Sequence, residues 1–265
     1  MLEGLDPHWH AALSAGARLE PLRPRIALRS GDAVFGSVEA GVLERIAPLR
    51  LANGSPATEL AGGDSWQVHG ELTASLALIA NALRSAGLAH AWRDEQLAVT
   101  DAQARCLGTV ERAVVRVLGI ATHAVHLVGL SPEGGAWVQQ RALNKANDPG
   151  LWDTLMGGMV PAADSVETAL ARETWEEAGL VVSALNQLSP GGRITINKPC
   201  ADGGGTGYMN EQIDWYRAVV PHGMTPVNQD GEVRRFELLD RAALRERLYR
   251  NAFTQEAALI LCAAL

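Results

Sequence analysis

The window from Gly157 to Leu180, GGMVPAADSVETALARETWEEAGL, constrains this chain more than any other part of it. Two glycines open it, a helical pattern runs from about Ser165 to Ala178, and Gly179 follows as a left-handed cap. Glu173, Glu176 and Glu177 are spaced i, i+3 and i+4, so all three project from one side of that helix. Like charges at this spacing cost roughly 0.2–0.5 kcal/mol per exposed pair. They also lie near the helix C-terminus, where the macrodipole disfavours negative charge. A divalent cation reverses both penalties, because Mg²⁺ takes hard carboxylate oxygens and bridges to phosphates. The plain alternative is a solvated acidic face, the usual meaning of a bare Glu-Glu pair. The glycine turn, Asp164 and Arg172 in fixed register with the glutamates favour a site.

The rest of the composition sets the frame. A chain of 265 residues suits one large domain or two small ones, and 47% hydrophobic residues can fill a sizeable core. The net charge of −7 argues against a nucleic-acid partner. Cys106, Cys200 and Cys262 are far apart and odd in number, which suits a reducing, cytoplasmic setting better than a disulfide framework. The first residues lack a basic start and a continuous apolar stretch, so no signal peptide is expected, and no run is apolar enough to predict a membrane span.

Along the chain, residues 1 to about 20 read as a helix, and alternation around Gly31 and Gly36 predicts a hairpin. GELTASLALIANALRSAGL has helical periodicity ending at Gly87, WRDEQLAVT reads as a strand, and ERAVVRVLGI as a helix stopped by Gly119. Two further strands flank the turn residues Ser131, Pro132, Gly134 and Gly135. SPGGRITINKPCADGGGTGYMNE, rich in Gly, Pro and Asn, predicts a long loop or an irregular hairpin. QIDWYRAVV and EVRRFELL read as strands, and the tail from Arg241 as helical.

The opening window fills the pattern G-x5-E-x7-R-E-U-x-E-E-x-G-U, with U aliphatic, and so resembles the Nudix box. It departs at Asp164, where Glu is usual, and at Thr174, where a large aliphatic is usual; the Thr174 hydroxyl can bond back into the helix. The resemblance implies an α+β chain: a Nudix fold, with a mixed β-sheet sandwiched between α-helices, over residues 119–265, preceded by a small α+β N-terminal domain over 1–118. It implies hydrolysis of a small-molecule diphosphate by water attack on phosphorus, with Mg²⁺ or Mn²⁺ held by Glu173, Glu176, Glu177 and Asp164. Arg172 is expected to orient a glutamate, and Gly158 to belong to the loop beside the metals. GAWVQQRALNKANDPGLWDTLMGGMV and DGEVRRFELL resemble a narrower Nudix subgroup related to thiamine pyrophosphokinase, which implies thiamine diphosphate or its damaged forms as substrate. The alternatives are nucleotide sugars, dinucleotides or oxidised nucleotides, or a ligand sensor without catalysis.

Outside the box, Arg141 and Lys145 at i and i+4 are candidates for a phosphate contact, or plain surface charges. Glu232 is a candidate for completing the metal site or acting as base, or a turn residue paired with Arg234 or Arg235. Glu211 is a candidate substrate or metal contact. His126, inside an apolar strand, reads as a satisfied core histidine and His123 as a weaker candidate still. Trp152 and Trp215 could stack on a heteroaromatic ring or fill the core. Cys200, in a polar loop, is expected to be the most exposed cysteine. The N-terminal module could shape the pocket or build a homodimer.

Overall fold

A computed structural model describes residues 5–46, 48–62 and 64–265. The first helix is shorter than expected: α1 covers Pro7–Gly16, capped by the Asp6 carboxylate, which accepts the His8 amide at 2.8 Å. Residues 1–4 of the expected helix lie outside the described residues. The expected hairpin forms from β1 (Arg25–Ser30) and β2 (Ala33–Glu39), turning through Gly31 at φ +57°. With β3 (Thr58–Ala61) and β4 (Ser65–Val68) it makes a four-stranded sheet in the order β2-β1-β4-β3.

Helix α2 (Leu72–Ser85) buries Leu72, Leu76, Ile79 and Leu83, the 3–4 spaced stripe legible in the sequence. Glu71 accepts the amides of Thr73 and Ala74 at its start, and Gly87 lies just past its end at φ +72°. Strands β5 (Gln96–Thr100) and β6 (Cys106–Glu111) form a separate antiparallel pair.

The helix expected over ERAVVRVLGI reduces to a single 3-10 turn, Arg112–Val114, followed by turns up to Gly119. Tertiary packing explains the difference. Val114, Val115, Val117 and Leu118 are buried in the first core, and the carbonyls of Arg116, Val117 and Leu118 accept from Tyr208, Arg25 and Ser37 instead of continuing a helix. The segment instead lies along the open edge of β2, where the Leu118 carbonyl accepts the Ser37 amide at 2.9 Å. The approach is close enough that a Cβ on Gly36 would stand 2.6 Å from the Leu118 carbonyl oxygen.

The second half carries β7 (Thr122–Leu130), β8 (Ala136–Arg141), β9 (Trp152–Asp153), β10 (Met156–Met159), α3 (Val166–Ala178), β11 (Asn186–Cys200), the one-turn α4 (Asp202–Gly205), β12 (Gly207–Val219), β13 (Val233–Leu239), α5 (Arg241–Tyr249) and α6 (Gln255–Ala264). The main sheet runs β11-β12-β7-β8-β13, with β10 also on β7 and β9 on β8. Only β7 and β12 pair in parallel; the other pairs of this sheet are antiparallel, so the sheet is mixed. Period-two alternation along β7 serves two layers. Val125 and Leu127 pack with Leu155, Ala169 and Leu170 on the α3 side, while Ala124 and Val128 pack with Ile213, Ile260 and Leu261 on the α6 side.

The Gly- and Pro-rich stretch is the irregular hairpin, not the loop: β11 and β12 pair over most of their length, with register shifts that absorb Gln187 to Gly192. The helical tail is broken at Asn251, with φ +51°, because the Ala252–Thr254 segment exchanges backbone hydrogen bonds with Trp152 beside β9. Although α1 precedes the expected boundary at residue 118, it packs on the second half: Gln255 donates to the Leu13 carbonyl at 3.1 Å, and Trp9 meets Tyr249 edge-on at 5.1 Å. Arg25 ties the halves together by donating to the Ser37, Val117 and Thr206 carbonyls. Among the described residues no helix is long and apolar enough to cross a membrane.

Gly36→Ala is expected to lower stability by about 1–3 kcal/mol, the usual cost of overpacking, read as a fall in unfolding temperature. An unchanged temperature would contradict the close β2 contact.

Candidate active site

The site grows from a turn and a helix. Strand β10 contains Gly157 and Gly158, and α3 follows after a short connection. Its start is fixed by a capping box, in which Ser165 and Thr168 satisfy each other's amides, and its end by Gly179 in the left-handed conformation. Ala169, Leu170, Thr174 and Ala178 form the buried face. The Thr174 hydroxyl donates to the Leu170 carbonyl at 2.6 Å, so the residue that departs from the box pattern packs fully inside. The glycines are spatial necessities: a Cβ on Gly158 would lie 2.7 Å from both carboxylate oxygens of Glu173, and one on Gly157 would lie 2.7 Å from His126 Nδ1.

The acids diverge in environment. Glu177 is buried, and its Oε2 accepts from Gln139 Nε2 at 2.7 Å and from the Gly157 amide at 3.0 Å. Burial first, then the neighbouring Glu173 charge, push its pKa up to about 8. Glu173 is also raised, by burial above all, although Arg172 opposes the shift. Arg172 is the hub of the others: Nε donates to Asp164 Oδ2 at 3.1 Å, and Nη1 donates to Glu173 Oε1 at 3.0 Å and Glu176 Oε2 at 2.8 Å. Burial disfavours its charge, but the three acids outweigh that and raise its pKa. The repulsion expected along the helix is therefore partly met by a resident cation. Asp164, one methylene shorter than the usual glutamate, is held by that same guanidinium. Among the described residues no group of three or more His, Cys, Asp or Glu side chains already converges in a cage that could hold a metal ion.

A cleft of about 120 Å³ opens beside Gly157, Gly158, Glu173 and Glu177. Glu232 lines it, paired with Lys145 and with Arg93 Nη1 at 3.2 Å. Burial raises the pKa of Glu232, but Lys145 and the arginines outweigh it, so the net shift is downward. Arg141 and Lys145 both line the cleft, and Arg141 also donates to Asp153 at 3.5 Å and to the Asn147 carbonyl at 2.9 Å. An adjoining chamber of about 110 Å³ shares Arg141 and adds Asp148, Asp153, Glu211 and Glu256. Asp164 and Glu176 line neither chamber.

Of the other sequence candidates, only His126 lines a chamber, the second one. His126 is buried, with Nδ1 3.0 Å from the Thr154 hydroxyl, as a satisfied core histidine should be. His123 pairs with Asp214 at 2.8 Å. Trp152 and Trp215 are not free to stack on a ligand ring: both are buried in the α6-side core, and Arg247 lies 4.2 Å over the Trp152 ring. Cys200 is not the most exposed cysteine; Cys106 is, because the supposed loop at Cys200 is strand. The sequence reading passed over Gln139, Arg93 and Arg116. Gln139 carried a signal, a polar side chain at an inward position of β8.

A mixed sheet between helices, with Glu177 buried and Glu173 half-buried behind a glycine turn, defines the class. Residues 121–259 match the NUDIX domain family model, just over half of the chain, and the chain belongs to the Nudix family. It is 28% identical over 151 residues to Nudix hydrolase 20, chloroplastic, of Arabidopsis thaliana, covering 55% of this chain and 38% of that protein. It is 26% identical over 193 residues to Nudix hydrolase 24, chloroplastic, of the same plant, covering 70% of this chain and 51% of that one. The chain thus spans about half the length or less of these relatives, and the second match must extend ahead of residue 121. DR0079 of Deinococcus radiodurans shares the fold, with a TM-score of 0.52 and 19% identity over 64% of this chain and all of its own.

The Nudix family implies a divalent cation, and the residues fit one. Glu173 and Glu177 offer hard oxygens in a dry wall, and Gly158 leaves the space that a side chain would fill. The free Oε1 of Glu177 has no hydrogen-bond partner among the described residues.

Because the folded-state pKa of Glu177 is raised, the native state keeps its proton longer than the unfolded chain. Its contribution to stability is present below about pH 4.5 and is lost as pH rises towards about 8. In protein stripped of divalent ions, Glu177→Gln is expected to flatten this fall, by up to about 1.4 kcal/mol per pH unit. Parallel stability profiles for parent and variant, measured by denaturant unfolding, would contradict the assignment.

Proposed function

We propose that the protein is a divalent-metal-dependent diphosphatase that splits a diphosphate ester into a monophosphate and phosphate. The observation that carries this reading is the pairing of buried Glu177 with half-buried Glu173 at the wall of a cleft that is also lined by Arg93, Arg112, Arg116, Arg141 and Lys145. Glu173 and Glu177 would hold Mg²⁺ or Mn²⁺, joined by Glu176 once Arg172 releases it. When bound, the ion supplies charge neutralisation for the phosphates and activation of water.

The chain's own side chains supply the rest. Lys145 and Arg141 bind phosphate oxygens, and Gln139 fixes Glu177 in one orientation through its Oε2. Glu232 is ionised in the ligand-free cleft by Lys145 and Arg93. A phosphate that draws Lys145 away leaves Glu232 free to accept the proton of the attacking water. Water oxygen joins phosphorus, the anhydride P–O bond breaks, and the leaving phosphate carries the bonding pair. Arg172 and Asp164 position the helix acids and make no substrate contact in this scheme.

For the substrate, the motif resemblance to the thiamine-related subgroup is supported by the charge pattern of the cleft. The first chamber has five cations against four carboxyl groups, and the adjoining one has Asp148, Asp153, Glu211 and Glu256 against the three arginines it shares, Arg112, Arg116 and Arg141. That gradient suits a ligand with a diphosphate tail and a positively charged organic head, as in thiamine diphosphate and its damaged forms. In this scheme Glu211 faces the head. The two proposed units, 1–118 and 119–265, meet at this cleft.

Phosphate release should be measured with Mg²⁺ and with Mn²⁺ on thiamine-type diphosphates, nucleotide sugars and dinucleotides. The thiamine-type compounds are expected to turn over best. Glu173→Gln and Glu177→Gln are each expected to lower kcat on the order of 10²-fold or more. Undiminished turnover in both variants would overturn the site, and preference for nucleotides would overturn the substrate.

A further inference from the structure

The Nudix match begins at residue 121, yet three arginines that line the cleft with Glu173, Glu177 and Glu232 lie ahead of it: Arg93, Arg112 and Arg116. We propose that Arg112 and Arg116, assisted by Arg93, form a phosphate-binding wall facing α3, so that the diphosphate site is shared between the N-terminal module and the Nudix domain and is incomplete in the latter alone. This rests on the diphosphatase reading given above.

The scaffold beneath these arginines is stiff. Glu111 Oε1 accepts the Arg93 amide at 2.9 Å and the Ala113 amide at 3.3 Å, locking the two ends of the wall to one carboxylate. Val114, Val115, Val117 and Leu118 anchor the arginine-bearing turn in the first core. The Arg116 carbonyl accepts the Tyr208 amide at 2.8 Å, which binds the turn to the second half as well. Side chains launched from such a segment are pre-organised, which lowers the entropy cost of gripping a ligand.

Arg116 is the telling residue. Its side chain is only 16% exposed, yet its guanidinium makes no hydrogen bond among the described residues; the nearest carboxylate oxygen is Asp202 Oδ2 at 3.6 Å. Its ion pair with Asp202 is long, and Glu211 and Glu256 favour its charge from further off, so most of its five donors remain available to phosphate oxygens in the cleft. Arg116 lines both chambers, as does Arg112, which places the pair at their junction. Arg112 meets Glu95 at 3.1 Å and Arg93 meets Glu232 at 3.2 Å, both on side chains exposed enough to exchange a carboxylate for a phosphate. Five cations against four carboxyl groups line the first chamber. A divalent ion adds further positive charge, so the filled site demands an anion of more than one charge. Planar guanidinium groups match phosphate oxygens in pairs.

The test uses the full-length, metal-free protein and inorganic pyrophosphate as probe, titrated by calorimetry. Arg112→Ala and Arg116→Gln are each expected to weaken pyrophosphate binding about tenfold, and Arg116→Lys to recover part of the loss. The double variant Arg93→Ala/Arg112→Ala, at an exposed and a half-buried position, serves if the Arg116 variants fail to fold, and is expected to weaken binding more than Arg112→Ala alone. Mn²⁺ binding, followed by electron paramagnetic resonance, is expected to be unchanged in the Arg112 variant, with KM for the diphosphate raised more than kcat is lowered. Pyrophosphate affinity equal to the parent's in the Arg112 and double variants would overturn the wall. Loss of the diphosphatase reading would show differently, as absent Mn²⁺ binding and absent turnover in the parent itself.

Discussion

Everything at the site follows from setting one buried and one half-buried carboxyl group next to each other behind a glycine turn. Glu173 and Glu177 are one helical turn apart, Glu177 buried and Glu173 half-buried; the Glu173 charge makes Glu177 harder to ionise, and burial raises the pKa of both. Nothing in the needs of a core calls for this pair. It persists because Gly157 and Gly158 leave room, Gln139 and the Gly157 amide hold one oxygen of Glu177, and Arg172 answers the charge of Glu173. A pair of neighbouring acids with one unbonded oxygen each is a standing demand for positive charge, and a divalent cation is the simplest way to meet it.

The fold supplies the rigidity this arrangement needs. Helix α3 is capped at both ends and packed along one face, so its acidic flank cannot twist away. The sheet beneath it is buried on both faces, which fixes β8 and hence Gln139 and Arg141 on the side of the cleft. Across the cleft, the first module contributes a hydrophobic core of its own and the turn after β6 that carries Arg112 and Arg116. The proposed site therefore lies where the first core and the Nudix half meet, a common place for ligand sites.

How far the sequence alone reached depends on the range of the interactions involved. Elements set by local pattern were legible: the turn at Gly31, the apolar stripe of α2 with Gly87 after it, the hairpin around Ser131 to Gly135, and α3 between Ser165 and Gly179. The failures share one cause, tertiary contact overriding local preference. ERAVVRVLGI has helical propensity, but backbone bonds from its carbonyls to Ser37 and Tyr208 reduce it to one 3-10 turn. Gly- and Pro-rich β11 is strand because β12 lies beside it, and the helical tail breaks because Trp152 takes its backbone. In the site, the carboxylate register could be read because it lies within one helix. The partners could not: Gln139 meets Glu177 across 38 residues and Arg93 meets Glu232 across 139. Arg172 was read as orienting one glutamate, and it touches three acids.

The most direct measurement is an anomalous difference map from crystals of the metal-free protein soaked in Mn²⁺. A peak at bonding distance from Glu173 and Glu177, with Arg172 shifted off at least one acid, is the predicted result. A map without a peak beside those carboxylates, or with manganese only at surface acids elsewhere, would contradict the account.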